Sequence, residues 1–290
     1  QRYENSKVIQ YVLGNTGDLN LMKELILVNK VDLIFHTSAY KHVNLVEKNP
    51  IQGLKNNVLS SYIICKLSSL LKVPKVILIS SDKAVRPSSI MGASKRVSEI
   101  LFQAFNNKFP NTCFSMVRFG NVLNSSGSVI PLFKKQIKNL SPITITHPKV
   151  IRYFMTIKEA SQLVIQSSAL AKGGEVFLLD MGQPVKILSL AKQMISLSGL
   201  TIKNIENPNG DIAIIFTGLR PGEKLYEELL IDDNSKVTSH PRIFHAEEKF
   251  INYDEILSLV KNLEESLKNL DLEKSLSLLQ EIVPEWQRKT

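Results

Sequence analysis

Ile79-Ser80-Ser81-Asp82-Lys83-Ala84, followed shortly by Met91-Gly92-Ala93-Ser94-Lys95, is the stretch on which the fold turns. The β-branched run at 76–80 reads as a buried strand. The apolar periodicity over 90–105 reads as a helix. A strand that ends in hydroxyl residues and passes through a polar turn into a helix is one unit of a parallel sheet. Asp82 and Lys83 then fall at the carboxyl end of a central strand, where open α/β sheets place their ligands. Met91 and Lys95 are four apart at the start of the helix and so share one of its faces.

Working outward, 8–13, 32–36 and 113–119 read as further strands, and 19–28 and 50–71 as helices. This alternation predicts a parallel sheet with helices on both faces. After about Asn124 the pattern changes. Extended pieces at 143–146, 176–179 and 212–216 mix with helices at 157–171 and 187–197, which predicts a smaller lobe over the strand ends. Residues 253–279 alternate leucines with lysines and glutamates and read as one or two amphipathic helices with a surface or partner-facing role. No G-x-G-x-x-G loop occurs, and Gly14-Asn15-Thr16-Gly17-Asp18 reads as the end of a later strand. The sequence opens on Gln1 inside a charged segment. Either this is not a dinucleotide fold or the first βαβ unit of such a sheet is expected to lie outside the sequence, and the motifs below favour the second.

A chain of 290 residues, 43% hydrophobic and 22% charged, can bury a substantial core. It shows no apolar run of membrane-spanning length and no signal peptide. The two cysteines, Cys65 and Cys113, lack metal-ligand spacing and fit a reducing, cytoplasmic setting. The histidines and carboxylates form no ligand cluster, so no metal is expected. The net charge of +9 comes from scattered lysines such as Lys134, Lys138, Lys192 and Lys203, without a basic stripe interleaved with aromatics. That distribution speaks against nucleic acid and suits an anionic nucleotide ligand.

A strand ending in Ser or Thr followed by a helix bearing Y-x-x-x-K is similar to the arrangement in short-chain dehydrogenase/reductases, above all their extended, nucleotide-sugar-modifying branch. Ser80-Ser81-Asp82-Lys83-Ala84-Val85-Arg86-Pro87 followed by Met91-Gly92-Ala93-Ser94-Lys95-Arg96 closely resembles the UDP-N-acetylglucosamine 4,6-dehydratases of bacterial polysaccharide and glycan synthesis. The resemblance implies a Rossmann-like sheet. It divides the chain into a partial NADP-binding part (1–125), a mainly UDP-sugar-binding lobe with returning sheet elements (126–250) and a helical tail (251–290). It makes Lys95 the ligand of the nicotinamide ribose. Met91 takes the place of the acid/base tyrosine, as in retaining members of the group, and a thioether cannot carry a proton. The implied reaction oxidises C4 of the sugar, eliminates water across C5 and C6, and returns the hydride to C6. Lys83 is then the base at C5. Asp82 is the acid at C6 and the candidate to assist at the C4 hydroxyl, with both environments expected to tune the pair toward neutrality. Read without the resemblance, Asp82-Lys83 is an ordinary turn pair.

Other runs match the same family. In His36-Thr37-Ser38-Ala39-Tyr40-Lys41-His42-Val43, Ala39 implies close approach of cofactor and Lys41 a contact to cofactor or substrate. Ser80 is assigned to the cofactor and Ser81 to the substrate. Val117-Arg118-Phe119-Gly120-Asn121-Val122 puts Asn121 against substrate and Val122 near the nicotinamide. Gly218-Leu219-Arg220-Pro221-Gly222-Glu223-Lys224 implies diphosphate binding by Arg220, whose planar fork suits phosphate oxygens, and ribose binding by Glu223. Arg152 adds a second nucleotide contact, and Val129, in Gly127-Ser128-Val129-Ile130-Pro131, lies along the uridine. Asp18 contacts the adenine or, equally, caps a helix. The resemblance further implies NADP, with NAD as the alternative, and a homo-oligomer. The setting is the cytoplasmic face of a membrane if the parent chain carries an N-terminal membrane region. Two alternatives stand beside this reading: a UDP-sugar 4-epimerase or reductase, and a non-catalytic nucleotide sensor on the same fold.

Overall fold

Short aliphatic runs at Leu33–His36, Lys75–Ile79, Cys113–Arg118 and Val176–Leu179 pair in that order as parallel strands in the computed structural model, which describes residues 9–227 and 235–286. Ile243–Ala246 adds antiparallel to Val176–Leu179, and Lys236–Val237 closes that edge. The central strands are buried on both faces, as their unbroken apolar runs require. Helices Leu19–Asn29, Ser60–Leu70, Ile90–Lys108 and Ile157–Leu170 connect or flank them, which makes the fold an α/β, Rossmann-like sheet. Ile90–Lys108 is the core helix: every residue from Ile90 to Phe105 is buried.

The helical run expected over 50–71 forms as Pro50–Leu54 and Ser60–Leu70 joined by a π-helical turn at Lys55–Leu59. That turn carries Asn57, whose buried side chain has a specific task described below. The strand expected over 8–13 does not form among the described residues. Residues 9–13 have no regular structure and are exposed, with Leu13 wholly so. A strand exists by its ladder, and among the described residues no neighbour pairs with this segment.

A second, smaller hydrophobic core lies beyond residue 128. Phe133, Ile137, Ile143, Ile187, Ile195 and Ile212 build it from helices Val129–Lys138 and Ile187–Leu197 and the parallel strands Ile143–Ile145 and Ile212–Phe216. Two short ladders tie this lobe to the sheet region. Asn121–Val122 runs parallel to Phe154–Met155, and Ile151–Arg152 runs antiparallel to Val185–Lys186.

The expected tail is two helices, Tyr253–Lys268 and Leu272–Ile282, and the surface role expected of it is corrected. Val260, Leu263, Leu267, Leu279, Ile282 and Trp286 belong to the main core. The leucines form one apolar face, and that face packs on Ile90–Lys108. Among the described residues no helix is long and apolar enough to cross a membrane.

Candidate active site

The turn after strand Lys75–Ile79 is a single 3₁₀ turn, Asp82–Ala84, capped by the Ser81 hydroxyl, which accepts from the Lys83 amide at 3.2 Å. This places Asp82 and Lys83 at the carboxyl edge of the sheet. The helix Ile90–Lys108 begins immediately beside it. Ser89 caps this helix by accepting from the Gly92 amide, and the Glu47 carboxylate accepts from the Ile90 amide at 2.6 Å. Burial lifts Glu47 above the usual carboxylate range, although that amide opposes the shift. Turn and helix touch through Gly92, where a Cβ would lie 2.2 Å from the Lys83 carbonyl oxygen.

Two adjoining cavities meet at Lys83. The first, about 420 Å³, is lined by Ala39, Ser80, Met91, Lys95, Asn121 and Val122 among others. The second, about 270 Å³, is lined by Lys41, Asn121, Arg152, Arg220, Glu223 and Glu227 among others. Lys41, His42, Lys83, Asn121 and Gly127 border both. A third hollow continues past Arg152 and Arg220 to Val129 and Phe133 in the smaller lobe. The structure therefore gathers thirteen of the residues singled out in the sequence along one cleft. Asp82 abuts it and Asp18 does not reach it: a Cβ at Gly120 would sit 3.1 Å from Asp82 Oδ2, so Gly120 leaves room for that carboxylate.

Lys83 Nζ donates to Asp82 Oδ1 at 2.9 Å and lies 3.4 Å from Glu227 Oε1. The Ser81 hydroxyl also donates to Asp82 Oδ1, at 2.8 Å. Burial works against the Lys83 charge, but Asp82 and Glu227 outweigh it and hold the ammonium above its ordinary pKa. The expected tuning of Lys83 toward neutrality is thus corrected: in the resting site it is protonated. Lys95 behaves differently. Its ammonium is buried at the cavity wall, desolvation outweighs the attraction of Glu99, and the pKa falls to about 8. No carboxylate among the described residues lies within ion-pair distance of it.

Several assigned side chains have partners inside the protein. The Ser80 hydroxyl donates to Glu99 at 2.6 Å. Glu99 is fully buried and bridges Arg96 and Arg118, and despite burial these cations bring it down to about 2. Ser80 therefore contributes to the cavity by its position rather than by a free hydroxyl. Glu223 accepts from Thr146 at 2.8 Å, from Arg152 at 3.3 Å and from the Arg220 amide at 3.1 Å, which orders the turn that presents Arg220. The Arg152 guanidinium also donates to the Lys224 carbonyl and faces Glu227 at 3.3 Å. The Asn121 side chain donates to the Tyr153 carbonyl at 3.3 Å, and its backbone ladder fixes it at the junction of all three hollows. Asp18 is exposed and caps Leu19–Asn29 by accepting from the amides of Asn20 and Leu21.

Two residues escaped the sequence reading. Asn57 accepts from the Tyr40 amide at 2.7 Å and donates to the Tyr40 carbonyl and to Ser94, pinning the 37–42 loop to the core helix. The π turn that carries it is the kind of irregularity found at functional sites, but no local pattern announces it. Glu227 follows the Gly218–Lys224 run closely, yet only the folded chain brings it to Lys83. His36, from the same loop motif, is structural: buried against Ser61 and Phe102, it is pushed down to about 3 by desolvation and by the charge of Lys95.

Comparison with known proteins agrees with this picture. The family model described as polysaccharide biosynthesis protein matches residues 1–248. A Staphylococcus aureus protein named capsular polysaccharide biosynthesis protein CapD is 49% identical over 241 residues, which is 83% of this chain and 38% of that protein. A Campylobacter jejuni protein named UDP-N-acetylglucosamine 4,6-dehydratase (inverting) is 32% identical, covering 83% of this chain and 68% of its own length. A Rickettsia bellii UDP-glucose 4-epimerase is 33% identical over 78% of this chain and 63% of its own. Among solved structures, Pen from Bacillus thuringiensis superposes with a TM-score of 0.74 at 31% identity, covering 90% of this chain and 84% of that one. The chain spans under two fifths of the length of the Staphylococcus aureus relative.

Proposed function

This chain belongs to the polysaccharide biosynthesis protein family, and from that premise we propose that it carries the active site of an NADP-dependent 4,6-dehydratase acting on UDP-N-acetylglucosamine. The observation that carries the reading is the meeting of the Asp82–Lys83 pair with the Lys95 cavity on one side and the Arg152–Arg220 cavity on the other.

The residues fit a nicotinamide cofactor. Lys95 offers an ammonium with no carboxylate within ion-pair distance among the described residues, and Ala39, Val122 and the body of Ser80 leave space beside it. When bound, the nicotinamide supplies acceptance of a hydride from C4 and its return to C6. NAD fits the described residues equally well. Arg220 and Arg152 face the cavity where a diphosphate would sit, and Val129 and Phe133 border the hollow for the uridine.

The protein's own groups then handle the protons. Asp82 takes the proton of the C4 hydroxyl as the ketone forms. The ketone acidifies C5. Lys83, having released its resting ammonium proton to water and regaining one from water at the end of the cycle, accepts the C5 proton while the C5–H electrons form the C5–C6 double bond. Asp82 passes its proton to the departing C6 hydroxyl, which leaves as water. Lys83 returns its proton to C5 as C6 is reduced. The net loss is one water, with every other group restored. Met91 has no proton to give, so the same lysine delivers to the face it attacked, which predicts retention at C5. Met91 also weighs against a 4-epimerase, which needs an acid/base at that place, although an epimerase is among the relatives. Product mass after incubation with UDP-N-acetylglucosamine and NADP⁺ tests the reading: loss of one water supports it, and an epimer of unchanged mass overturns it.

A further inference from the structure

Lys83 has two carboxylates around it, and the reaction above uses only Asp82. The other, Glu227, has a side chain 3% exposed. Its Oε1 lies 3.4 Å from Lys83 Nζ and 3.3 Å from Arg152 Nε, while its Oε2 is buried without a hydrogen-bond partner among the described residues. A buried carboxylate with one unsatisfied oxygen is unfavourable for folding compared with a well-packed neutral side chain. Its placement therefore calls for another explanation than stability. The groups facing Lys83 are Asp82, from its own turn, and Glu227 and Arg152, both from the region of the smaller lobe. Of these, Glu227 is the negative group that comes from outside the turn.

We propose that Glu227 is a positioning residue for Lys83: it holds the amine at the junction of the two cavities and governs when that amine can take a proton. The proposal rests on the reading of Lys83 as the C5 base. Because Glu227 also faces Arg152, and Arg152 is gripped by Glu223, the chain of charges links the lysine to the cavity assigned to the diphosphate.

Trace acetylation with acetic anhydride, read residue by residue by peptide mass spectrometry, measures the neutral fraction of Lys83 without needing turnover. In Glu227→Gln, Lys83 is expected to acetylate about ten-fold faster than wild type at pH 8, the equivalent of one pKa unit, while the labelling of buried Lys95 stays unchanged. Labelling of Lys83 within two-fold of wild type overturns the proposal. If Glu227→Gln does not fold, which Lys95 labelling reports, Glu227→Asp carries the test. It retains the charge on a shorter arm, so an intermediate rate is expected, and the wild-type rate overturns the proposal. In the dehydration assay the limb of the kcat pH profile that reports loss of the Lys83 proton is expected to move about one unit to lower pH in Glu227→Gln, and an unmoved limb overturns the proposal. A Lys83→Ala variant that still dehydrates overturns the base reading itself, and this failure is distinct from an unchanged Lys83 label.

Discussion

Lys95 is 4% exposed, and burial brings its pKa from 10.5 to about 8. Below pH 8 the folded protein carries a charge it would shed more readily than the unfolded chain does. The lysine therefore destabilises the ligand-free protein at neutral pH, and the cost fades as pH rises from 8 to 10.5. Lys95→Met is expected to stabilise the ligand-free protein by up to about 3 kcal/mol at pH 7, with the gain lost near pH 10.5, and to abolish nicotinamide binding. Denaturant melts at both pH values, beside a cofactor titration, check both halves; equal stability at pH 7 contradicts the burial argument. At this scale the sequence was legible where chemistry lies in consecutive residues. Lys83, Lys95 and Asn121 could be picked from their runs, since a strand end and the first turn of a helix fix their direction. Glu227 could not, because its meaning depends on a lobe folding back over the sheet. The charge state of Lys83 was misread because burial is outweighed by its neighbour Asp82, which holds the proton, with Glu227 adding to it from far along the chain.

At the scale of elements, the site depends on how closely the Asp82–Ala84 turn meets the helix Ile90–Lys108. Gly92 permits that contact, since any Cβ there would strike backbone rather than a movable side chain. Gly92→Ala is expected to push the two apart, costing about 1–3 kcal/mol and lowering kcat by at least ten-fold as Lys83 leaves its place. Melting temperature and turnover check it, and a variant of wild-type kcat removes the contact from the account. The main parallel strands and the core helix were legible because their apolar runs are long and bounded by turn residues. Residues 9–13 misled because an apolar run bounded by turn residues suits a strand but does not supply its neighbour. The π turn at Lys55–Leu59 was invisible because the bonds made from it, Asn57 to Tyr40 and Ser94, are tertiary and leave no local pattern.

For the whole molecule, the helices Tyr253–Lys268 and Leu272–Ile282 pack directly on the helix that carries Met91 and Lys95. Arg96 joins the two regions through Glu285 at 3.2 Å, and Trp286 is 2% exposed. Trp286→Ala is expected to destabilise the protein by about 3–5 kcal/mol, with the loss seen as earlier cooperative unfolding; a change under 1 kcal/mol would return the tail to the surface role first read from it. That role was misjudged because an amphipathic pattern tells that a helix has a buried face but not what it is buried against. The pieces at 143–146 and 212–216 do build a smaller lobe, whereas Val176–Leu179 and the helix Ile157–Leu170, read together with them, belong to the main sheet and main core; their apolar runs do not say which sheet they join. On the proposed reading the cleft that gathers the assigned residues dehydrates a UDP-N-acetylhexosamine with Lys83 as the C5 base. The most direct measurement incubates the protein with UDP-N-acetylglucosamine and NADP⁺ in heavy water and follows product mass and the C5 position. Loss of one water with deuterium at C5, both abolished in Lys83→Ala, is the predicted result; unchanged mass with UDP still bound, or a Lys83→Ala variant that still exchanges C5, contradicts it.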